Sequence, residues 1–162
     1  METCEEPQSE LQYCKEHGMP VLITAEELQK AGAGQMTVLS FGEKYPNGLH
    51  ANGPDQERAE KDGMGSNEIY QVLGLTGAAR TWNFDRPGRC LSVTWYRNGV
   101  RHDPAGDFAA VTTWHRNGER RSVEHYHHGK KHDPPSGTAA VKQWEGNGKL
   151  DEKIHYTEGV RQ

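Results

Sequence analysis

Three tyrosines, Tyr96, Tyr126 and Tyr156, stand at one constant interval, and other residues keep the same step. Gly88, Gly118 and Gly148 do so, as do Gly99, Gly129 and Gly159, and Ala79, Ala109 and Ala139. The tripeptide His102-Asp103-Pro104 returns as His132-Asp133-Pro134, Asn117 as Asn147, and Trp114 as Trp144, with Phe84 in the earlier slot. Matching at one fixed period, about 30 residues, marks a repeat whose units bury their apolar faces only against their neighbours. The repeat constrains residues 79–162 more than any other feature does. It says nothing by itself about activity.

Within a unit the pattern predicts a β-hairpin. Residues 109–115 alternate as a strand, Asn117-Gly118 is a strong hairpin turn signal, and residues 122–127 return. Two registers follow from the turn. A two-residue turn places Trp114 and Tyr126 on opposite faces. A three-residue loop with a glycine bulge places them together and leaves Val111 and Val123 on the other face. The second is the expected one, because it separates an aromatic stripe from an aliphatic one.

The first half reads differently. Residues 1–18 are polar and predict a mobile arm; residues 20–23 predict a short strand. Thr24 and Glu27 fit a capping box that opens a helix over 25–31. Residues 35–41 predict a strand, and residues 42–65 a long polar loop, mobile or functional. Residues 67–75 are open between helix and strand. The expected fold is therefore α+β and mainly β. It has a small N-terminal α+β region over 1–77 and an antiparallel meander of about three units over 78–162.

The pattern Ala-Ala-Val-x-x-Trp-x-x-Asn-Gly, then Tyr-x-x-Gly-x-x-His-Asp, resembles the variant MORN repeats of bacterial and phage proteins. It departs from them where Phe108 or Thr138 replaces the usual proline before alanine. The resemblance implies an open repetitive β surface, and binding more than chemistry.

Charge is split along the chain. Residues 1–77 carry 5 Lys/Arg against 13 Asp/Glu, whereas residues 78–162 carry 14 against 10 and seven of the nine histidines. Arginine and lysine interleaved with aromatics in the repeat fit a protein interface or a nucleic-acid surface. The pI near 6.1 weighs against strong polyanion affinity for the whole chain. The histidines around His125, His127, His128 and His132 recur between units, which predicts side-chain to backbone bonds in the His-Asp-Pro loops, and no metal is expected. Cys4, Cys14 and Cys90 form no Cys-x-x-Cys pair, and no nucleophile or phosphate-loop motif occurs. No cofactor is expected.

The expected function is that of a non-catalytic, cytoplasmic protein-binding module acting on another protein or nucleoprotein complex, with no membrane association. Its concrete forms are a phage anti-CRISPR-like inhibitor, acting in the host cytoplasm, or an antitoxin. The alternative is a nucleic-acid-binding module, and the second alternative a small enzyme with a site in the 42–65 loop. The expected partner-binding residues are Trp114, Arg116, Arg120, Tyr126 and Trp144, helped by the acidic 42–65 loop; none is expected to be catalytic.

Overall fold

A computed structural model describes residues 14–162. The expected mobile arm therefore lies mostly outside the described residues; of it, residues 14–16 form one helical turn. Strand β1 (Val21–Ile23) leads into helix α1 (Ala25–Lys30) through Thr24. The Thr24 hydroxyl accepts the Glu27 N–H at 3.2 Å, and the Glu27 carboxylate accepts the Thr24 N–H at 3.1 Å. Two otherwise unpaired donors of the first turn are thus satisfied.

Residues 35–41, expected as a strand, belong to helix α2 (Gln35–Lys44). The alternation of Met36, Val38 and Ser40 was the weaker pattern. Val38, Phe41 and Tyr45 follow helical spacing and turn toward the core, while Met36 and Leu39 are exposed. The 42–65 stretch is not a loop either. It holds strand β2 (Leu49–Ala51), antiparallel to β1, and helix α3 (Gln56–Lys61). Helix α4 (Ser66–Leu73) follows and ends at Gly74, whose φ of 66° is left-handed. Ile23, Leu28, Phe41, Leu49, Ile69, Tyr70 and Leu75 form the core, joined by Ala79 and Tyr96 from the main sheet.

That sheet is built from β3 (Gly77–Trp82), β4 (Cys90–Arg97), β5 (Val100–Arg101), β6 (Val111–Trp114) and β7 (Arg120–Glu124), with β10 and β11 below. Strands β8 (Tyr126–His127) and β9 (Lys130–Lys131) form a separate ribbon. Next come β10 (Val141–Trp144) and β11 (Leu150–Ile154), then a second ribbon of β12 (Tyr156–Thr157) and β13 (Val160–Arg161). The order across the sheet is β11-β10-β7-β6-β4-β3, with β5 on β4.

The expected fold class is corrected by this arrangement. The molecule is a mixed α+β fold, with four described helices interspersed among strands, of which α3 and α4 pack on the sheet and α1 and α2 pack in the helical layer beside them. Among the described residues the helical portion runs from residue 14 to Gly74, so it is not a small appendage. The seven-stranded sheet is open and does not repeat as three equal units. Strand β4 runs unbroken through Tyr96 to pair with β5, whereas the chain leaves the sheet at His125 and again at His155. The reason is packing. Tyr96 is held against Tyr70 of α4, with ring centroids 5.7 Å apart, and no described helix lies beside Tyr126 or Tyr156 to do the same.

The two sheet edges are protected in different ways. Along β3, Gln56 Nε2 donates to the Ala78 carbonyl at 3.0 Å, and the Arg80 N–H donates to Glu60 Oε2 at 2.5 Å. These two side chains, one turn apart on α3, replace a neighbouring strand. Burial pushes the Glu60 carboxyl above its usual range, partly offset by its bond from Ser66 Oγ at 2.7 Å. The far edge, β11, carries Asp151, Glu152 and Lys153, charges that discourage pairing with another chain.

Away from the helices, aspartates hold the sheet together. Asp103 Oδ1 accepts the N–H groups of Ala110 at 2.8 Å and Tyr126 at 2.9 Å, and its Oδ2 lies 2.6 Å from His125 Nδ1. Asp133 repeats the clasp with Ala140 at 2.8 Å, Tyr156 at 3.0 Å and His155 at 2.5 Å. Nδ1 of His102 accepts the His128 N–H at 3.0 Å, and Nδ1 of His132 accepts that of Glu158 at 3.0 Å. The His-Asp-Pro loops are thus side-chain to backbone clasps.

The clasps make stability fall with acid. Burial first, then Arg97, His128 and His127, hold the His102 imidazole below its ordinary value. Its neutral form is the one that accepts the His128 N–H, so its contribution is complete above the unfolded value of 6.5 and fades below it. For Asp133, burial opposes ionisation, but His155 and the N–H groups of Tyr156 and Ala140 outweigh it and hold the carboxyl below its usual range. That contribution is present above the unfolded value of 3.8 and disappears only at lower pH. The melting temperature of the wild type is expected to drop between about pH 7 and pH 5. In His102→Gln, whose amide oxygen accepts at any pH, that drop should be smaller; equal drops in the two proteins would exclude His102 as its source.

Candidate binding face of the sheet

Register decides what shares a face. The row Arg80, Val93, Thr112, Val123, Lys142, Lys153 runs directly across the six long strands. Two residues further along β3, β6 and β10, on the same face, stand Trp82, Trp114 and Trp144. Arg120 opposes Trp114, and its guanidinium lies 5.6 Å from the centre of the Trp144 ring. The other face carries Thr81–Ser92 and Thr113–Ser122 hydroxyl pairs at 2.7 and 2.6 Å.

Thr112, Val123 and Lys142 floor a groove of about 430 Å³, and Arg120 and Trp144 close one end. The loops bearing Phe108 and Thr138 wall it, and Phe108 is 74% exposed. Lys142 and Lys153 are direct cross-strand neighbours, an arrangement of like charges that costs stability. Among the described residues neither lysine, nor Arg120, forms a salt bridge. An anionic group laid over this face relieves that repulsion.

The structure brings together three of the five residues expected at the site. Trp114, Arg120 and Trp144 share the face, with both tryptophans half-buried and Arg120 exposed. Arg116 is exposed in the turn beyond β6, where its carbonyl accepts from Asn83 Nδ2 at 3.0 Å. Tyr126 is buried, and its hydroxyl donates to Glu124 Oε2 at 2.9 Å and accepts from Arg101 Nη1 at 3.2 Å. It contributes no surface.

The expected register is corrected here too. A bulge does shift the pairing between Thr113 and Trp114, but Val111 pairs with Glu124 and Val123 with Thr112. Val111 and Val123 therefore lie on opposite faces. Trp114 shares its face with Val123, and Tyr126 follows Glu124 on the other side. Lys142, Lys153 and Phe108 were not foreseen, because their proximity depends on cross-strand register and loop position.

For chemistry, the arrangement offers little that is activated. Burial pushes the Cys90 thiol up, away from the thiolate that a nucleophile needs. Burial also pushes Tyr70 up to about 12. The imidazoles of His102, His127, His128 and His132 crowd together, with centroid separations from 4.2 to 5.9 Å. Among the described residues no three His, Cys, Asp or Glu side chains are arranged to hold a metal ion. No described helix is long and apolar enough to cross a membrane. Compared with protein families, with curated proteins and with solved structures, the chain finds no match, so no MORN-like family is identified for it.

Proposed function

We propose that the protein is a non-catalytic binding module that occupies an acidic surface of another protein or nucleoprotein. It would act as an inhibitor or neutraliser, in the manner of an antitoxin or a phage anti-CRISPR protein. One observation carries this reading. Beyond β4 no described helix packs on the sheet, and one of its faces gathers Trp114, Trp144, Arg120, Lys142 and Lys153, the last three being cations that form no salt bridge among the described residues. Tryptophan and arginine dominate interface energetics, since they exclude water over a rigid area and keep a polar handle.

The test is a triple charge reversal, Arg120→Glu, Lys142→Glu and Lys153→Glu, compared with the wild type as bait in the cells that encode the protein. A protein captured by the wild type is then purified and its affinity measured with each bait. The variant is expected to keep its melting temperature and to bind roughly a hundredfold or more weakly, the scale of losing several interface charges. Equal affinity of the two baits would move the site off this face. Recovery of nucleic acid in place of a protein would favour the nucleic-acid alternative.

A further inference from the structure

A second, larger cleft of about 570 Å³ lies where the helical half meets the sheet. The 52–57 segment walls one side, β3 and β4 form the floor, and the first His-Asp-Pro loop closes the other side. Its volume is in the range of small-ligand sites. Most of its polar groups already have partners. Asn52 Nδ2 donates to the Thr76 carbonyl at 2.9 Å, and Gln56 Nε2 to that of Ala78 at 3.0 Å. The two lining carboxylates are also committed: Glu57 to Lys61 Nζ at 2.7 Å, and Asp103 to His125 and two backbone N–H groups.

Arg97, by contrast, forms no salt bridge among the described residues; Arg80 forms none either, though its charge acts on Glu57 and Glu60. Between them stands Trp95, 37% exposed. Val93, Trp95 and Arg97 alternate onto one face of β4; Arg80 pairs with Val93, and Ala78 with Trp95. The order along this face is therefore arginine, indole, arginine, each step about 7 Å at strand spacing. Ala78, with a single methyl, is the cross-strand partner of the indole, which keeps more than a third of its surface open.

From this alignment we infer that the cleft binds a nucleotide, its base against Trp95 and its phosphate on Arg97, with Arg80 available to a second phosphate on the other side of the indole. Every base has a π-face that an indole can stack, and guanidinium groups hold phosphate oxygens in paired bonds. A cation on each side of the indole fits a nucleotide with phosphate on both sides, as within a single strand. A free nucleotide satisfies one of the two. This site is separate from the Trp114–Trp144 groove and stands whether or not that groove binds a protein.

The experiment titrates the full chain, at low salt, with ATP, with a single-stranded oligothymidylate and with polyglutamate, following binding by calorimetry. Trp95→Ala is expected to weaken nucleotide binding by roughly five- to a hundredfold, the scale of losing one stacked base. Trp95→Phe should retain most of the affinity, and Arg97→Gln, altered at an exposed side chain with the fold intact, should lose it. Tighter binding of the oligonucleotide than of ATP assigns a strand as the source; the reverse assigns the free nucleotide. The proposal is overturned if neither probe binds, if polyglutamate binds as well as either, or if Trp95→Ala and Arg97→Gln both bind like the wild type.

Discussion

Replacing Asp103 with alanine is expected to destabilise the protein by about 3 kcal/mol or more, the largest loss from any single clasp residue. One carboxylate there takes the N–H groups of Ala110 and Tyr126 and bonds His125, and all three partner residues are buried. The cost is dominated by what is left behind. Two backbone donors would lose an ionised acceptor in a place water reaches poorly, and unsatisfied buried donors cost more than the net worth of an ordinary bond. At this chain length the loss corresponds to a melting temperature roughly 6–12 °C lower. Asp133→Ala removes the same three bonds where His155 is half exposed and Tyr156 only partly buried, so its loss should be the smaller of the two. Thermal denaturation of both variants settles the matter. Equal and negligible shifts would mean that water replaces the carboxylates freely and that the clasps do not hold the sheet.

What could be read from the sequence, and what could not, follows from the range of each interaction. The Thr24–Glu27 cap spans three residues, and Gly118 and Gly148 sit at positive φ in two-strand connections where Asn-Gly marks the turn. Local signals of that kind are complete within a few positions. The repeat of His-Asp-Pro announces a repeated job, and the loops perform one, although all but one of each clasp's partners lie 22 to 26 residues away. Helix α2 stands where a strand is expected because two periods coexist in Gln35–Lys44, and only the core shows that Phe41 and Val38, not Met36, face inward. Tyr126 looked equivalent to the tryptophans because both are aromatic and hairpin-borne. The break at His125 and the bond to Arg101 take it inside, and neither is visible without register. The lysine pair Lys142–Lys153 and the Arg80–Trp95–Arg97 line are cross-strand facts of the same order. The candidate face was therefore legible in its residue types and only half legible in which residues share it.

Gly77→Ala tests the junction between helices and sheet, and the expected loss is about 2–4 kcal/mol, with two causes adding. Gly77 opens β3 at φ 142°, a conformation L side chains rarely adopt. A Cβ there would also point straight at Asn52 Oδ1, with Tyr70 Cε1 3.0 Å away. Asn52 cannot retreat cheaply. Its Oδ1 accepts the Tyr70 hydroxyl at 2.5 Å, its amide holds the Thr76 carbonyl at 2.9 Å, and its own N–H donates to Gln56 Oε1 at 2.6 Å. Tyr70 in turn packs on Tyr96, so the displacement passes from the edge of β3 through α4 into the core. Gly118→Ala is the control for backbone strain alone, since that glycine has φ 91° but meets only the flexible Arg86 side chain, at 3.4 Å or more. The difference between the two variants measures the steric part. Equal melting temperatures for Gly77→Ala and Gly118→Ala would show that Asn52 yields, and that the hydrogen-bonded network beneath the cleft is looser than its geometry implies.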